Sequence, residues 1–359
     1  MISLGNAAAQ AITVTVGGKT YGGFTRVSAS ACLDKAARTF QLVVAGELNT
    51  VATARQFAAG TPVVLRCNGE VWLTGYVDSY RPRISGREAS VSIAGRSKAA
   101  DAIDSAVVDK TTGFQGKTPV EIAKALDKFG IGFKAVDAME AVPRFHVTPG
   151  ETVFQVVERL ARDQGYTLRG LADGGIEFWN AKKTTKRQAG PLIQGLNILS
   201  ADADHNWSRR HSHYHVRGQS AHGMDSHATE MQAVAKDGSV QRYRPTMINC
   251  ENDTDIGRVR KRATHHRNTR AGRSLSANIE VVGYVDPGGK LWECGNLVYV
   301  ESPFLNLQQD MLIEQVTIRE DGGGMTTSLS LCDPAAYSGK KRKASKSGGE
   351  WAAENEEAE

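Results

Sequence analysis

The stretch LWECGNLVYVESPFLNLQQDMLIEQVTIREDGGGMTTSLSLCDPAAY, residues 291–337, decides the fold class. Leu297 and Tyr299 stand two apart, Leu312, Val316 and Ile318 share one side with Glu314 between them, and Leu329 and Leu331 repeat the spacing. Clusters of Gly, Pro and Asp separate these runs. A period of two interrupted by turn residues predicts consecutive antiparallel strands. The segment carries no evident chemistry and reads as scaffold.

The same grammar recurs near the other end of the chain. Ile12, Val14 and Val16 alternate with Thr and stop at Gly17-Gly18, and Phe40, Leu42 and Val44 form a further run. Val63–Cys67 and Val71–Val77 flank Asn68-Gly69, a pair that tolerates the positive φ of a type I′ hairpin turn. Val91 and Ile93 close the series at Gly95. Short strands at this spacing predict a barrel or a sandwich.

Between the two β regions the period changes. Thr118-Pro119-Val120-Glu121 supplies an N-cap, a proline at the first helical position and a capping-box glutamate, and Ile122, Ala123, Leu126 and Phe129 follow at helical spacing. Thr148-Pro149-Gly150-Glu151 offers similar chemistry ahead of Val153, Val156, Val157, Leu160 and Ala161, with Gly165 as the stop. Short strands are expected over 166–171 and 176–179, turning at Asp173-Gly174-Gly175. Residues 252–273 predict a basic helix with Ile256, Val259 and Ala263 on its inner side.

At 359 residues the chain exceeds one ordinary core, and two to four domains are expected. The net charge of +5 is small beside 44 bases and 39 acids, so its distribution matters more than its size. Cys32, Cys67, Cys250, Cys294 and Cys332 are an odd number at wide gaps with no C-x-x-C. This argues against a disulfide framework or a zinc ribbon and suits assembly in a reducing cytoplasm. No apolar run approaches membrane-spanning length, and no stable membrane insertion is expected.

Three stretches carry a family resemblance. VSIAGRSKAADAIDS (residues 91–105) runs a strand into Gly95-Arg96-Ser97 and an acidic turn. ETVFQVVERLARDQGY (151–166) is a helix with a Glu-Arg-Leu-Ala-Arg core. The third runs from Ser212-His213-Tyr214-His215-Val216-Arg217-Gly218-Gln219 through the basic helix to Leu291-Trp292, Leu312-Ile313 and Asp333-Pro334-Ala335-Ala336-Tyr337. Together, across residues 10–337, they resemble the baseplate hub proteins of contractile phage tails, above all the Mu-type hub. That family is related to the late control D proteins and to the N-terminal part of VgrG spikes.

The resemblance implies a homotrimer in which two β-barrel domains per subunit alternate around a pseudo-sixfold ring, so that a threefold spike meets a sixfold tail tube. It implies as partners the central spike, the tail tube and other baseplate proteins, with passage of DNA through the channel. It places the protein in the virion tail baseplate, assembled in the cytoplasm of the bacterial host.

The expected fold is mainly β with α+β. Residues 1–100 form a first β-barrel domain, 101–200 a small α/β domain, and 201–240 with 274–337 a second β-barrel domain. A helical insertion occupies 241–273, and 338–359, with KKRKASKSGGE and WAAENEEAE, form a flexible charged tail.

No catalytic, cofactor-binding or metal-binding residue is assigned, and the expected role is structural. His211, His213 and His215 alternate along a strand and face one way, which is a zinc-ligand geometry that His205, His222, His227, His265 or His266 would have to complete. The simpler reading buries Tyr214 and Val216 and leaves the histidines wet. Two alternatives follow, a zinc-dependent cell-wall hydrolase and a VgrG-like spike subunit. Gly218-Gln219-Ser220-Ala221-His222 lacks the second glycine of a nucleophile elbow, and Gly17-Gly18-Lys19-Thr20 sits in a hairpin instead of a phosphate loop. The candidate contact with a partner or a second subunit is the acid-free run Arg258, Arg260, Lys261, Arg262, Arg267, Arg270 and Arg273.

Overall fold

A computed structural model of the protein describes residues 12–46, 53–86, 88–108, 112–183, 186–218, 231–250 and 256–339. The chain is mostly β with a few short helices. It divides into two compact units, one of residues up to 180 with 280–295 and 314–329, the other of 181–279, 296–313 and the residues from 330 onward. The Ser220 region, His222, His227, residues 252–255 and the tail beyond 339 lie outside the described residues.

In the first unit, β1 (Ile12–Val16), β2 (Lys19–Tyr21), β3 (Arg26–Cys32), β4 (Lys35–Gly46), β5 (Pro62–Cys67), β6 (Glu70–Ser85) and β7 (Glu88–Ser97) form a sheet in the order β3-β4-β7-β6-β5-β1-β2. Ile12, Val14 and Val16 are buried while Thr13 and Thr15 are not, which is the alternation the sequence predicts. The β5–β6 hairpin turns at Asn68 and Gly69, with φ of 49° and 82°. Both values are positive, as a type I′ turn demands.

A small α/β layer follows, built from α1 (Ala99–Asp104), β8 (Gly113–Lys117), α2 (Pro119–Leu126), β9 (Phe133–Ala135), β10 (Val142–His146), α3 (Val153–Asp163), β11 (Thr167–Gly170) and β12 (Ile176–Trp179). Thr118 and Glu121 cap α2 reciprocally: Glu121 N–H donates to Thr118 Oγ1 at 3.3 Å and Thr118 N–H to Glu121 Oε2 at 2.8 Å. The helix stops at Leu126, earlier than the apolar spacing implies, because Asp127 takes over the backbone. Its carboxylate accepts from the amides of Phe129, Ile131 and Gly132, and Phe129 is left 37% exposed.

The second helix also starts later than its TPGE signal. Thr152 is the N-cap of α3, paired with Gln155. Glu151 accepts from Thr148 N–H at 2.8 Å and from Arg159 at 2.8 Å. Thr148 and Thr152 carry the same side chain, but Gly150 takes a φ of 91° and turns the backbone after Thr148 out of a helix. The predicted stripe of Val153, Val156, Val157, Leu160 and Ala161 is buried, packed with Ile122, Phe133, Ile176 and Phe178. Ala36 and Ala37 of β4 join this cluster, so β4 belongs to both layers of the unit.

The second unit contains β13 (Leu192–Ile193), β14 (Ser200–His205), β15 (His213–Gly218), β16 (Met231–Lys236), β17 (Pro245–Asn249), α4 (Ile256–Gly272), β19 (Leu297–Ser302) and α5 (Ala335–Ser338). Three further strands, β18 (Leu275–Val282), β20 (Leu307–Asp321) and β21 (Gly324–Cys332), carry residues of both units. Residues 245–249, read from sequence as part of a helical segment, instead form β17 and pair in parallel with β15.

The decisive segment holds three strands, β19, β20 and β21, but its burial does not alternate throughout. Leu297, Val298, Tyr299 and Val300 are all buried, as are Met311, Leu312 and Ile313. Both sides of the strand are therefore covered there. Strict alternation begins only beyond Glu314, where Val316 and Ile318 are buried and residues 315–320 pair with β3.

Among the tightest backbone approaches in the first unit is that at Gly170, where an added Cβ would lie 2.0 Å from the carbonyl oxygen of Ala36. Gly170→Ala is expected to destabilise by about 1–3 kcal/mol through overpacking. Gly322→Ala, which meets nothing within 4 Å, serves as the control and should stay within about 0.5 kcal/mol. Thermal melts of the two variants make the comparison, and equal melting temperatures would refute the close approach.

Candidate functional site

The basic helix predicted from sequence is α4. Val259 and Ala263 turn inward and are fully buried against Tyr214, Val216, Met231, Ala233 and Ala235 of the β16-β15-β17 sheet. Ile256, expected on the inner side, is 41% exposed. The inner face turns instead toward Asn268 and Gly272: Asn268 Nδ2 donates to the Gly339 carbonyl at 2.7 Å, and a Cβ on Gly272 would lie 2.2 Å from the Ala336 amide nitrogen. A glycine is required where α5 crosses the helix.

This packing leaves Arg258, Arg260, Lys261, Arg262 and Arg273 exposed, with Arg267 and Arg270 half-buried. Arg267 donates to Asn268 Oδ1 at 3.0 Å and to the Lys236 carbonyl at 3.4 Å. Arg260, Lys261 and Arg262 make no ion pair among the described residues. Of the seven candidate contact residues, the helix therefore brings four to solvent, and Arg273 just beyond its end is a fifth.

Along the histidine strand Tyr214 and Val216 turn inward as expected, while His211, His213 and His215 are half-buried instead of fully wet. Tyr214 and Val216 are buried beneath α4, and His213 and His215 lie on the opposite side of the sheet, rings stacked with centroids 6.3 Å apart. Their ring nitrogens have protein partners: His213 Nδ1 is 2.9 Å from Ser212 Oγ, and His215 Nδ1 is 3.0 Å from Gln232 Nε2. His211 meets Tyr214 edge-on and precedes the strand, so the three imidazoles do not converge. His205 reaches the Leu305 carbonyl, and His265 and His266 sit on α4. Among the described residues no group of three His, Cys, Asp or Glu is placed to hold a metal ion.

Two arginines that sequence reasoning passed over hold the first unit together. Arg38 is buried; its Nε donates to the Gly170 carbonyl at 3.1 Å and its Nη1 to the Trp72 carbonyl at 2.8 Å. Burial lowers its proton affinity, yet a guanidinium stays charged at physiological pH. Arg96, quoted above as part of Gly95-Arg96-Ser97, bridges Asp104 at 2.7 Å and Asp78 at 2.6 Å. The hydrogen bond from Arg96 holds the Asp104 carboxyl below its ordinary range. Burial, and then the Asp104 charge, push Asp101 up. Asp78, Arg96 and Asp101 border an open hollow of about 420 Å³ that also includes Tyr76 and Gly60. The acidic turn thus serves the architecture, anchoring α1 to β6 and β7.

The comparisons with known proteins bear on these surfaces. The model for the N-terminal domain of Mu phage baseplate assembly protein GpP-like proteins matches residues 11–97. The second-domain model of gp44-like baseplate hub proteins matches 99–179, and the fourth-domain model of Mu phage baseplate assembly protein GpP matches 256–340. Baseplate hub protein gp44 of Escherichia phage Mu is 28% identical over 358 residues, spanning 94% of this chain and 93% of the relative. The chain is a homologue of the Mu phage baseplate hub.

A solved relative of this hub is the prophage MuSo2 43 kDa tail protein of Shewanella oneidensis, 28% identical with a TM-score of 0.80 over 91% of this chain and 99% of that one. The tail protein of Neisseria meningitidis MC58 shares the fold, at 21% identity and a TM-score of 0.75 over 92% and 98% of the two chains. The hub is a structural component of the phage tail baseplate. Among the described residues no helix is long and apolar enough to cross a membrane. The three family matches take in α4 but leave 180–255 between them, so the histidine strand lies outside the matched spans.

α4 also carries a titrating group. Burial lowers the pKa of His266, with Arg262, His265 and Arg270 adding to the effect. The unfolded chain therefore takes up this proton first as pH falls, and stability is lost on acidification. The melting temperature should drop as pH falls from about 7.5 to 5.5, through the ordinary histidine range. His266→Gln should flatten that drop, and an unchanged pH profile in the variant would exclude His266 as its source.

Proposed function

We propose that the hub works without catalysis, as a homotrimer whose subunits each present two β-rich units around a pseudo-sixfold ring. Six similar faces would then meet the tail tube, and three identical ones the central spike, with DNA passing through the channel. The observation that carries this reading is the division of one chain into two compact units, each rich in strands. A threefold assembly of such subunits supplies six β-rich bodies, as a symmetry adaptor needs.

Sheet edges supply a means of closure. In the first unit β2 is an end strand of its sheet, and an end strand offers a row of backbone groups to a neighbouring chain. In the second unit, Leu196, Leu199 and Phe304 are large apolar side chains left in solvent. Assembly in the bacterial cytoplasm fits the cysteines, all five of which are free thiols. The engagement of His213 and His215 with Ser212 and Gln232 supports the structural reading over a zinc hydrolase.

Mass measurement of the purified chain across a concentration series tests the proposal. A trimer is expected. A monomer that persists at high concentration would sink the ring, and stoichiometric zinc in the same sample would revive the hydrolase.

A further inference from the structure

Residues 207–273 contain thirteen Arg and Lys against six Asp and Glu, an excess of seven where the whole chain has five. The remainder of the hub is thus slightly acidic, and its positive charge is concentrated in the module of β15, β16, β17 and α4. Among the described residues of this segment Asp237 is the one acid. It is buried and held by Arg210 at 2.6 Å. Burial alone would raise its pKa; hydrogen bonds from Arg210 and Ser239 outweigh that and leave the carboxyl low, its charge spent internally.

We propose that this module binds duplex DNA through its phosphates, with the outer side of α4 as the principal contact. Arg258 and Arg262 are spaced by four on the exposed side of the helix, and His266 and Arg270 continue that spacing at half-buried positions. Each step advances about 6 Å, close to every second phosphate of a strand whose charges recur about every 3.4 Å of axis. Arg260 and Lys261 widen the line. On the far side of the sheet Arg217 and Lys236 are exposed as well, there beside the exposed Val234 and Met247.

The composition favours a nucleic acid over an acidic protein. Protein interfaces set register with both signs of charge around an apolar anchor. Beyond Ile256 in its first turn, the exposed residues of α4 are Gly257, Thr264, His265 and the four bases Arg258, Arg260, Lys261 and Arg262. Eleven of the thirteen bases are arginine, whose planar fork matches phosphate oxygens. The exposed side of α4, of one sign and with no large apolar side chain beyond Ile256, positions a polyanion and reads no sequence, whereas the exposed apolar residues of the module, Tyr243 among them, lie off the helix. The inference names a partner for the proposed channel, yet it does not need the ring, because the module lies within one unit.

The test is binding of the full chain to a short fluorescent duplex of arbitrary sequence, titrated with salt. Affinity should fall with salt at a slope of about −0.9 per phosphate neutralised, and Arg260→Gln/Lys261→Gln/Arg262→Gln should reduce the slope by about 2.7 and weaken binding at least about ten-fold. Arg81→Gln/Arg83→Gln, on exposed positions of β6, should change neither. An unchanged slope in the triple variant, an equal loss in the β6 variant, or polyglutamate binding as tight as the duplex would each overturn the proposal. Mass measured on the same samples separates the two readings. A trimer that ignores DNA removes this inference and keeps the ring, whereas a monomer that binds DNA does the reverse.

Discussion

Arg38 is 6% exposed, and the arrangement of the first unit depends on where its guanidinium ends. It leaves β4, passes over the Trp72 ring at 5.2 Å, and donates to the carbonyls of Trp72 and Gly170. Its own amide donates to Ser97 Oγ at 3.1 Å, so β4, β6, β7 and β11 meet around one residue. A buried cation without acceptors would cost several kcal/mol, and the two carbonyls offset that cost only at this geometry. Gly170 supplies both the acceptor and the missing Cβ that lets β11 come close to Ala36. The sheet and the α/β layer are thereby joined at a fixed distance, and the shared cluster of Ala36, Ala37, Leu168 and Phe178 fills in around that joint.

The second unit answers the same problem of buried polarity in a different way. Its strands β19 and the first half of β20 are covered on both sides, so polar groups there need internal partners. Asp310 is paired with Arg187, Gln188 accepts from Asn296, and Gln194 accepts from Ser302 at 2.7 Å. The residues 187–197 thus run beside β19 as a polar strap, with β13 in parallel register to Val300 and Glu301. Such pairs contribute little net stability but are expensive to break singly, which favours one register over its neighbours. For a component that must present its surfaces at fixed positions, register matters more than raw stability.

What was legible in the sequence was whatever local chemistry decides by itself. The Asn68-Gly69 turn, the Thr118 capping box, the α3 stripe and the alternation of β1 need only neighbours within a few residues. The Thr148 signal misled by four residues because Gly150 takes a φ of 91° and turns the backbone out of a helix, even though Glu151 still accepts from the Thr148 amide. The pairing of β8 with β10 leaves no mark in the sequence, since its burial is slight and its partners lie some thirty residues apart. β17 is short and half-exposed, and its identity comes from β15 on the other side of a long connection. The joint at Arg38 had no local signal at all: one arginine amid small residues reads as surface until Gly170 and Trp72 are placed.

α4 shows why a sequence can mark a surface more reliably than a contact. Six bases with no acid among them repel one another along one helix, and Arg273 follows at its end. Propensity does not hold it, and its apolar stripe is narrow, only Val259 and Ala263 being large enough to matter. The helix persists because the sheet covers that stripe, Asn268 fastens the Gly339 carbonyl, and Gly272 admits α5. Tertiary packing therefore offsets the repulsion, which stays in the free subunit as a fixed cost. Any ligand that neutralises the outer face removes part of that cost and stabilises the fold by the same amount that the fold strengthens binding. A helix of mixed charge would be more stable alone and would gain nothing from a polyanion. Retaining an unbalanced one ties the stability of this module to whatever negative surface the finished tail brings against it.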